Sequence, residues 1–452
     1  MRNIKTYPAI TNDSRKVTPG CLFIAVKGTK CDGNDYAAAA LAAGAADVVS
    51  TDRRGLALLA DEFYGHPSGK LKLVGITGTN GKTTTVTLLY NMMRSLGYEC
   101  GLLSTIANYV GTRRSEAVNT TADPITINSL LAEMVDAGCE YCFMEVSSIG
   151  IEQERVAGLE FAVGIFSNLT HDHLDYHGTF AEYLRCKKMF FDNLPETAYA
   201  LINVDDRNGM VMTQNTKAKV VTYSCNRGAD HSARILEESF EGMLLKIDGT
   251  EAWTRLVGAH NAYNILAIYS TALLLGTPKD EALLAISRLE SAPGRLETLR
   301  GPRDLSVAID YAHTPDAMEN VLKTLRDVAP ERELICLFGC GGDRDKTKRP
   351  EMAAIAEKYA DRIFVTSDNS RTERTGDIID DIKKGFSPAG LAKTICIEDR
   401  REAIRTAIML APKSATILLA GKGHETYQIL GTVKNHFDER EIVEEVFRTI
   451  EG

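Results

Sequence analysis

The stretch Leu71–Gly97, LKLVGITGTNGKTTTVTLLYNMMRSLG, contains the pattern that decides the fold of this chain. It begins with a short apolar run of strand length and continues into a turn rich in glycine and threonine. Lys82 and Thr83 then open a helical pattern, in which apolar side chains recur at steps of three and four as far as Gly97. Glycines let backbone N–H groups approach phosphates, and a helix N-terminus favours negative charge. Strand, glycine turn, Lys-Thr and helix together therefore predict a phosphate-binding loop.

The glycine spacing departs from the usual pattern of such loops. G-x-x-x-x-G-K-[ST] would place a glycine where Ile76 stands. The glycines stand instead at positions 75, 78 and 81. The alternative is a glycine turn before an ordinary helix, but the strand–turn–helix context favours the phosphate loop. In that interpretation Lys82 would reach the terminal phosphates, and the Thr83 hydroxyl would hold Mg²⁺.

Composition limits the class of protein. The 452 residues are enough for about three domains. A formal net charge of −9 argues against non-specific nucleic-acid binding. The first residues lack the apolar core of a signal peptide, and we expect no membrane insertion because no apolar run approaches membrane-spanning length.

The ten cysteines are scattered and indicate a reducing compartment. Cys139 and Cys142 form a lone C-x-x-C that runs into an apolar strand, and no second pair follows. We therefore predict buried free thiols rather than a zinc or redox site. The expected location is the cytoplasm.

The chain before the phosphate loop, residues 1–70, has the pattern of a small α/β module. Cys21–Val26 predicts a strand, Tyr36–Ala46 an alanine-rich helix, and Val48–Val49 the start of another strand. The polar segments around them are weak signals, because polar loops are common.

Residues 71–294 alternate strands and helices, which is typical of a mostly parallel sheet. After the phosphate loop, strands are predicted at Tyr141–Val146, Phe161–Phe166 and Ala200–Asn203. Glu145 ends one of them, and His173 follows another. Because ligands collect outside the carboxyl ends of parallel strands, both are placed to meet a magnesium ion held at Thr83.

Pro293-Gly294 marks the next boundary, and residues 295–452 alternate again. The predicted strands are Leu305–Ile309, Leu334–Phe338, Arg362–Thr366 and Thr416–Leu419. Each ends in a polar segment: DYAH at 310–313, GCGGDR at 339–344, SDNSR at 367–371 and GKGHE at 421–425. Four such strand ends indicate a second binding face, expected to meet the first across a cleft.

Ten segments in order resemble the Mur ligases of bacterial cell-wall synthesis. They are DSRKVTPGCLFIAVKG, TGTNGKTTT, NTTADP, EVSS, FSNLTHDHLDYHG, HNAYNILAI, PGRLE, DYAHTPDAMENVL, GCGGDRDKTKRP and GKGHETYQ. The resemblance covers nearly the whole chain and includes the shifted glycine spacing. It implies three α/β domains: a UDP-binding module at 1–70, a central ATP-binding domain with a parallel sheet at 71–294, and a Rossmann-like domain at 295–452.

The family joins an amino acid to a nucleotide-linked peptide with ATP. A carboxylate is a poor electrophile, so ATP converts it to an acyl phosphate, which the neutral amine then attacks. The enzyme must align the reactants, exclude water and screen the developing charge. The resemblance implies addition of the third stem-peptide residue to UDP-N-acetylmuramoyl-L-alanyl-D-glutamate, with ATP and Mg²⁺ as cofactors. It also implies that the protein is a monomer and that its partners are small-molecule substrates.

The resemblance also implies roles for individual residues. The ATP contacts would be Gly78, Thr79, Asn80, Gly81, Lys82, Thr83, Thr84, Asn261, Asn264, Arg295, Asp310 and Tyr311. Thr83 and Glu145 would hold one magnesium ion, and His173 and Lys187 a second. His171 and His177 do not match a ligand position, and we interpret them as loop residues.

Lys187 matches a lysine that the family carries as a carbamate. This modification turns an ammonium into an anionic group that can organise magnesium, and it would make Lys187 catalytic together with Lys82, Glu145 and His173. The adjacent Lys188 is the alternative, but the family spacing of four residues after Tyr183 favours Lys187.

The remaining matches concern the substrates. Contacts to UDP and the muramoyl dipeptide would come from Ser14, Thr120, Thr121, Ser148, Gln153 and Arg155. The chain departs from the family at Ile149, where a histidine is usual. The amino-acid contacts would come from Arg344, Asn369, Arg371, Gly421 and Glu425.

The segment Asp368–Arg371 bears on the choice of amino acid. Relatives that add meso-diaminopimelate carry D-N-P-R here, and this chain reads D-N-S-R. A guanidinium at Arg371 would grip the distal carboxylate and repel the ammonium of lysine. Ser370 in place of proline frees the preceding backbone. We expect meso-diaminopimelate, with L-lysine or another diamino acid as the alternative.

Two other classes of protein stay open. Folylpolyglutamate synthetase shares the arrangement of ATPase domain and C-terminal domain. The module before the phosphate loop and the DNSR segment argue against that enzyme. A nucleotide-dependent switch or assembly protein would need no second substrate face, so the four polar strand ends argue against that class.

Overall fold

A computed structural model describes residues 3–28, 32–170 and 174–451 of the chain. Within these residues the strands are β1 (Ile10–Thr11), β2 (Leu22–Val26), β3 (Asp47–Thr51), β4 (Lys72–Thr77), β5 (Cys100–Leu103), β6 (Asn108–Val110), β7 (Arg113–Ser115), β8 (Tyr141–Glu145), β9 (Phe161–Phe166), β10 (Tyr199–Asn203), β11 (Lys219–Ser224), β12 (His231–Ser239), β13 (Gly242–Ile247), β14 (Thr250–Thr254), β15 (Glu297–Gly301), β16 (Leu305–Asp310), β17 (Leu334–Phe338), β18 (Arg362–Val365), β19 (Thr394–Cys396), β20 (Thr416–Ala420), β21 (Tyr427–Leu430) and β22 (Val433–His436).

The α-helices of the same residues alternate with these strands over much of the chain. They are α1 (Ala37–Ala42), α2 (Arg53–Phe63), α3 (Lys82–Ser95), α4 (Pro124–Asp136), α5 (Ser148–Glu152), α6 (Leu174–His177), α7 (Phe180–Asp192), α8 (Ala259–Leu274), α9 (Lys279–Ile286), α10 (Pro315–Val328), α11 (Lys348–Tyr359), α12 (Thr375–Lys383), α13 (Pro388–Ala392), α14 (Arg400–Leu410) and α15 (Glu439–Glu451). None of these described helices is long and apolar enough to cross a membrane.

The chain divides into two compact units. The first comprises Met1–Arg234, Lys246–Ala252 and Ala262–Leu289, and the second comprises Ile235–Leu245, Trp253–Asn261 and Glu290–Gly452. The α/β class expected from the alternating pattern is confirmed, because parallel strands dominate the sheets. The three-domain division stays a prediction.

The first unit contains a small parallel sheet, β1-β2-β3, and most of a large sheet ordered β14-β13-β12-β11-β10-β9-β4-β8-β5-β6-β7. The phosphate-loop strand β4 lies between β8 and β9 and is parallel to both. Buried apolar side chains of these strands pack against α4 and α7. Because β4 is central, the loop that follows it emerges among the carboxyl ends of its neighbours.

Some elements of the first unit differ from the sequence prediction. α1 ends at Ala42 instead of Ala46, since Gly44 adopts a left-handed φ of 105° that terminates the helix. The pattern also missed β6 and β7, which pair antiparallel at one end of the large sheet. They are three residues long and partly polar, so they carry no clear two-residue alternation.

The second unit is built on a sheet ordered β15-β16-β20-β17-β18-β19, in which β15 is antiparallel and the other pairs are parallel. Alternate residues of its strands face opposite sides. One side packs against α10, α11 and α12, and the other against α14 and α15. Helices on both faces make this a doubly wound, Rossmann-like sheet. The carboxyl ends of β16, β20, β17 and β18 therefore lie at one edge, as the sequence predicted.

Candidate functional site

The phosphate loop has the strand–turn–helix form that the sequence predicted. β4 ends at Thr77, α3 begins at Lys82, and Gly81 before the helix adopts a left-handed φ of 87°. A Cβ on Gly78 would lie 1.8 Å from Ser167 Oγ, and one on Gly81 would lie 2.5 Å from Asn264 Oδ1. Both positions therefore favour glycine. Ile76, where the usual motif has its first glycine, is instead a buried residue of β4.

Residues after β9 hold the loop in place. Asn168 Oδ1 accepts a hydrogen bond from Asn80 N at 2.9 Å, and Asn168 Nδ2 donates to Asn80 O at 3.1 Å. Ser167 Oγ donates to the same carbonyl at 2.7 Å. Thr79 Oγ1 accepts from Thr170 N at 3.0 Å. The sequence pattern draws attention to the histidines of this segment. It cannot reveal these loop contacts, because only the parallel pairing of β4 and β9 creates them.

Lys82, at the start of α3, folds back over the loop. Its Nζ donates to Gly78 O at 2.8 Å and to Thr79 O at 2.9 Å. An ammonium held across a phosphate loop supplies positive charge beside the loop N–H groups, which suits an anionic ligand. Thr84 follows in the first turn of α3 and is buried.

Thr83 and Glu145 meet as the sequence predicted. Thr83 Oγ1 donates to Glu145 Oε1 at 2.9 Å, and Thr105 N donates to the same oxygen at 2.7 Å. Both side chains are buried. Thr105 was missed because β5, the strand before it, was not recognised in the sequence. The pair presents one hydroxyl and one carboxylate oxygen, the hard donors that Mg²⁺ prefers.

Lys187 lies on the buried face of α7. It is 1% exposed, and its Nζ lies 4.6 Å from the centre of the Tyr183 ring. The Tyr183 hydroxyl is 3.1 Å from Thr79 Oγ1, so this face of α7 reaches the phosphate loop. Lys188 instead pairs with Asp192 at 2.7 Å on the same helix. His173 and His171 lie outside the described residues.

The interpretation of His177 as a loop residue is wrong. It ends the short helix α6, and its Nε2 lies 2.9 Å from Ser148 Oγ. Its ring also packs on Tyr183 with the ring centres 5.2 Å apart. The spacing of the three histidines could not reveal this contact, because Ser148 comes from a distant segment of the chain.

The residues matched to the dipeptide lie beside Glu145. Thr121 Oγ1 donates to Glu145 O at 2.9 Å, and Thr120 Oγ1 accepts from Thr105 Oγ1 at 3.1 Å. Arg155 donates to Thr121 O at 2.6 Å and to Gln153 Oε1 at 2.7 Å. These hydrogen bonds join the end of β8 to the segment after α5.

Other matched residues of the first unit sit apart from this group. Ser14 begins a short 3-10 helix in the small sheet module. Ile149 is half-buried in α5, where a histidine was expected from the family. Asn264 on α8 accepts a hydrogen bond of 3.4 Å from Thr85 Oγ1, directly behind the phosphate loop.

In the second unit, Asp310 ends β16 with a buried carboxylate. It accepts hydrogen bonds from Leu296 N at 2.6 Å and Ala312 N at 2.8 Å. Burial raises the pKa of Asp310, against the opposing influence of Arg295 and these two N–H groups. The Arg295 guanidinium lies 5.0 Å from the centre of the Tyr311 ring, and burial raises the pKa of Tyr311 to about 12. Asn261, on α8, donates to Val257 O at 2.7 Å.

The DNSR segment and the end of β20 form one cluster. Asn369 Nδ2 donates to Glu425 Oε2 at 2.9 Å. Arg371 has a left-handed φ of 50°, and its guanidinium donates to Gly342 O at 2.8 Å. Gly421 has a φ of 115°, and a Cβ there would lie 2.9 Å from an oxygen of Asp368. The structure thus brings together four of the five residues matched to the amino acid, whereas Arg344 is exposed and donates to Asp343 O.

The cysteines agree with the sequence analysis. Cys139 and Cys142 are buried free thiols. Burial raises the pKa of both thiols, so they are held in the neutral form.

A phosphate loop on a parallel sheet, with a second doubly wound sheet in the chain, defines a nucleotide-binding α/β protein. Three family sequence models match this chain. They are "Mur ligase family, catalytic domain" at residues 6–64, "Mur ligase middle domain" at 76–272 and "Mur ligase, glutamate ligase domain" at 294–423. The chain belongs to the Mur ligase family.

Individual relatives make the comparison more specific. A protein of Phocaeicola vulgatus named UDP-N-acetylmuramoyl-L-alanyl-D-glutamate--2,6-diaminopimelate ligase is 49% identical, over 97% of this chain and 94% of the relative. A solved structure of a ligase of the same name superposes with a TM-score of 0.72 at 31% identity, covering 99% of this chain and 96% of that one. Folylpolyglutamate synthase of Mycobacterium tuberculosis is 19% identical with a TM-score of 0.65, covering 82% of this chain and 92% of that one, which shows a shared fold alone.

Proposed function

We propose that this chain is an ATP-dependent ligase of peptidoglycan synthesis that adds meso-diaminopimelate to UDP-N-acetylmuramoyl-L-alanyl-D-glutamate. The observation that carries the proposal is the 49% identity, over 97% of the chain, to a relative named for this reaction. The fold that the chain shares with folylpolyglutamate synthase does not favour that alternative, because the likeness is limited to 19% identity.

The proposed reaction has two steps. A carboxylate oxygen of the dipeptide attacks the γ-phosphorus of ATP and ADP leaves, which gives an acyl phosphate. The neutral amine of the diamino acid then attacks the acyl carbon; the C–N bond forms, phosphate leaves and the amine nitrogen loses a proton. The first step needs the γ-phosphate and the carboxylate held in line, which is a positioning task.

The residues of the phosphate loop suit that task. Lys82 and the N–H groups of the first turn of α3 would bind the phosphates, with Gly78, Thr79, Asn80, Gly81 and Thr84 forming the loop around them. Asn264 lies against this loop. Asn261, Arg295, Asp310 and Tyr311 are further proposed contacts to ATP. The roles of Arg295, Asp310 and Tyr311 are supported because these residues cluster at the end of β16.

Thr83 and Glu145 fit a magnesium ion that also binds ATP phosphates. Mg²⁺ commonly uses one or two carboxylates together with phosphates and water. The ion would neutralise charge on the transferring phosphoryl group. His173 and a carbamate on Lys187 are proposed to serve a second ion.

Burial favours Lys187 over Lys188 as the modified lysine. The Lys188 ammonium is committed to Asp192, whereas Lys187 lies inside the unit on the face of α7 that reaches the phosphate loop. The carbamate requires a neutral amine, and the Lys188 ammonium is held in an ion pair instead. This placement supports the modification without depending on His173.

Substrate roles follow the same reasoning. Ser14 would contact the UDP moiety, and Thr120, Thr121, Ser148, Gln153 and Arg155 the muramoyl dipeptide. Asn369, Arg371, Gly421 and Glu425, with Arg344, would contact the diamino acid. We also propose the three-domain division at 70 and 294, a monomeric state and a cytoplasmic location.

The test is phosphate release from ATP with UDP-N-acetylmuramoyl-L-alanyl-D-glutamate and either meso-diaminopimelate or L-lysine. Release with diaminopimelate alone is the expected result. Release with lysine alone would support the ligase activity but refute diaminopimelate as the amino acid that is added. No release with either amino acid would refute the proposed function.

A further inference from the structure

Lys422 is a fully buried lysine beneath the DNSR segment, and none of the roles above includes it. Its Nζ donates to Glu425 Oε2 at 2.9 Å and to Asn369 Oδ1 at 3.3 Å, and it lies 3.9 Å from Asp368 Oδ1. The ring of Tyr427 lies 5.6 Å away and helps to enclose it. A buried ammonium is costly unless it is paired and hydrogen-bonded, so these contacts fix where it sits.

The contacts of Lys422 determine how two neighbouring side chains are oriented. Asn369 Oδ1 accepts from both Lys422 and Ile429 N, so the amide must turn its Nδ2 toward Glu425. Glu425 Oε2 accepts from that Nδ2 and from Lys422. One ammonium therefore sets the position of the amide and of the carboxylate together.

A purely structural role, holding the strand ends together, is already filled by another cation. Arg400 donates to Ser367 O at 3.1 Å and to Ala420 O at 2.8 Å, which ties the end of β18 to the end of β20. Arg400 is itself paired with Glu439, and both side chains are completely buried. Lys422 differs from Arg400 in that its hydrogen bonds go to side chains, those of Asn369 and Glu425, and not to backbone carbonyls.

We infer that Lys422 is a positioning residue of the amino-acid site, which holds Asn369 and Glu425 in the geometry that receives the diamino acid. The inference rests on the proposed function, because it assumes that these two residues contact that substrate. Two converging side chains bind well only when their own positions are fixed beforehand, and a shared buried cation does this for both.

The test is Lys422→Met, which keeps the length and removes the charge. We expect the KM for meso-diaminopimelate to rise at least about tenfold, as when a charge-assisted hydrogen bond is lost. The KM values for ATP and the UDP-linked dipeptide should not change. A loss of stability alone would not separate one substrate from the others in this way.

The matched control is Lys393→Met in the same unit. Lys393 Nζ also donates to two acceptors, the carbonyls of Glu357 and Ala360. It has no contact with the DNSR cluster among the described hydrogen bonds. Its removal should lower the free energy of unfolding while leaving all three KM values as in the parent protein.

A double variant keeps the inference testable if Lys422→Met does not fold. Lys422→Met with Glu425→Gln removes the buried carboxylate that the first change leaves without its cation. The KM for diaminopimelate in the double variant should exceed that of Glu425→Gln alone, because Asn369 also loses the ammonium that orients it. It should stay below the product of the two single effects, because the carboxylate that Lys422 positions is already gone. Independent, multiplying effects, or an unchanged KM in Lys422→Met, would overturn the inference. If the parent protein itself releases no phosphate with diaminopimelate, the proposed function fails instead.

Discussion

Thr83 Oγ1 donates a 2.9 Å hydrogen bond to Glu145 Oε1, which joins the first turn of α3 to the end of β8. The two residues are 62 positions apart in sequence, and the parallel pairing of β4 with β8 brings them together. Both are buried, so the carboxylate is held away from bulk water. This pair belongs to the first of the two proposed magnesium sites.

Glu145→Gln tests the charge of that pair. Glutamine keeps an oxygen that can accept from Thr83 and Thr105, so the fold should be retained. We expect phosphate release to fall by about 10²-fold, because charge on the transferring phosphoryl group is less well neutralised. The control is Glu140→Gln, an exposed carboxylate just before the same strand, which should leave the rate unchanged. Equal rates for the two variants would argue against a metal at Glu145.

Lys187→Ala tests the carbamate. We expect phosphate release to fall by about 10²–10³-fold and a small carboxylate such as acetate to restore part of it by replacing the lost anion. Lys188→Ala should retain activity, since the Lys188 ammonium is paired with Asp192. A second readout is the carbamate ¹³C signal after labelling with ¹³C-bicarbonate, which should disappear only in Lys187→Ala. Its persistence in that variant would place the modification elsewhere.

How much of this could be read from the sequence depended on how local each feature was. The phosphate loop was predictable because strand, glycines and helix are consecutive and each residue has a local reason to be there. The meeting of Thr83 with Glu145 was also predictable, because the ends of parallel strands share one edge. The choice between Lys187 and Lys188 needed a family spacing, although Tyr183, Lys187 and Phe190 do follow a helical repeat on the buried face of α7.

Features that depend on tertiary burial could not be predicted. Lys422 lies in a glycine-rich segment that looks like an exposed turn, and only the packing of β21 against the DNSR segment encloses it. The contact of His177 with Ser148 could not be predicted either, because the two residues are distant in sequence. Short polar strands such as β6 and β7 gave no alternation to detect.

Arg371→Ala tests selection of the amino acid. The guanidinium is always charged, and it is oriented by Gly342 O and Asn369 O. We expect the ratio of kcat/KM for meso-diaminopimelate over L-lysine to fall at least about tenfold, because a charge-assisted contact to the distal carboxylate is lost. Arg374→Ala removes an exposed arginine three residues after Arg371 and should leave the ratio unchanged. An unaltered ratio in Arg371→Ala would refute the selector role.

Arg400→Met tests the buried ion pair under the strand ends. It leaves Glu439 buried without its cation and removes the donors to Ser367 O and Ala420 O, so the free energy of unfolding should fall by about 3–5 kcal/mol. The neighbouring Arg401 pairs with Glu445 at the surface, and Arg401→Met should cost less than about 1 kcal/mol. Urea unfolding of both variants makes the comparison, and similar losses would contradict a special role for Arg400.

Glu373 gives the second unit a pH dependence of known sign. The buried Arg349 guanidinium and Lys346, with Asp343 N, hold the pKa of Glu373 at about 2, below its ordinary 4.5. A carboxyl whose pKa is lower in the folded than in the unfolded state stabilises the fold above the unfolded pKa. That stabilisation is lost as the pH falls through the folded pKa.

Glu373→Gln should therefore flatten the acid side of the stability curve. In the parent protein, the free energy of unfolding should decline between about pH 5 and about pH 2, and the variant should lose less over the same range. At neutral pH the variant should be the less stable of the two, because Arg349 loses a carboxylate partner. Urea midpoints at a series of pH values measure both effects. The control is Glu351→Gln, which removes an exposed carboxylate on α11. If stability depends on pH in the same way in Glu373→Gln and Glu351→Gln, the lowered pKa of Glu373 is contradicted.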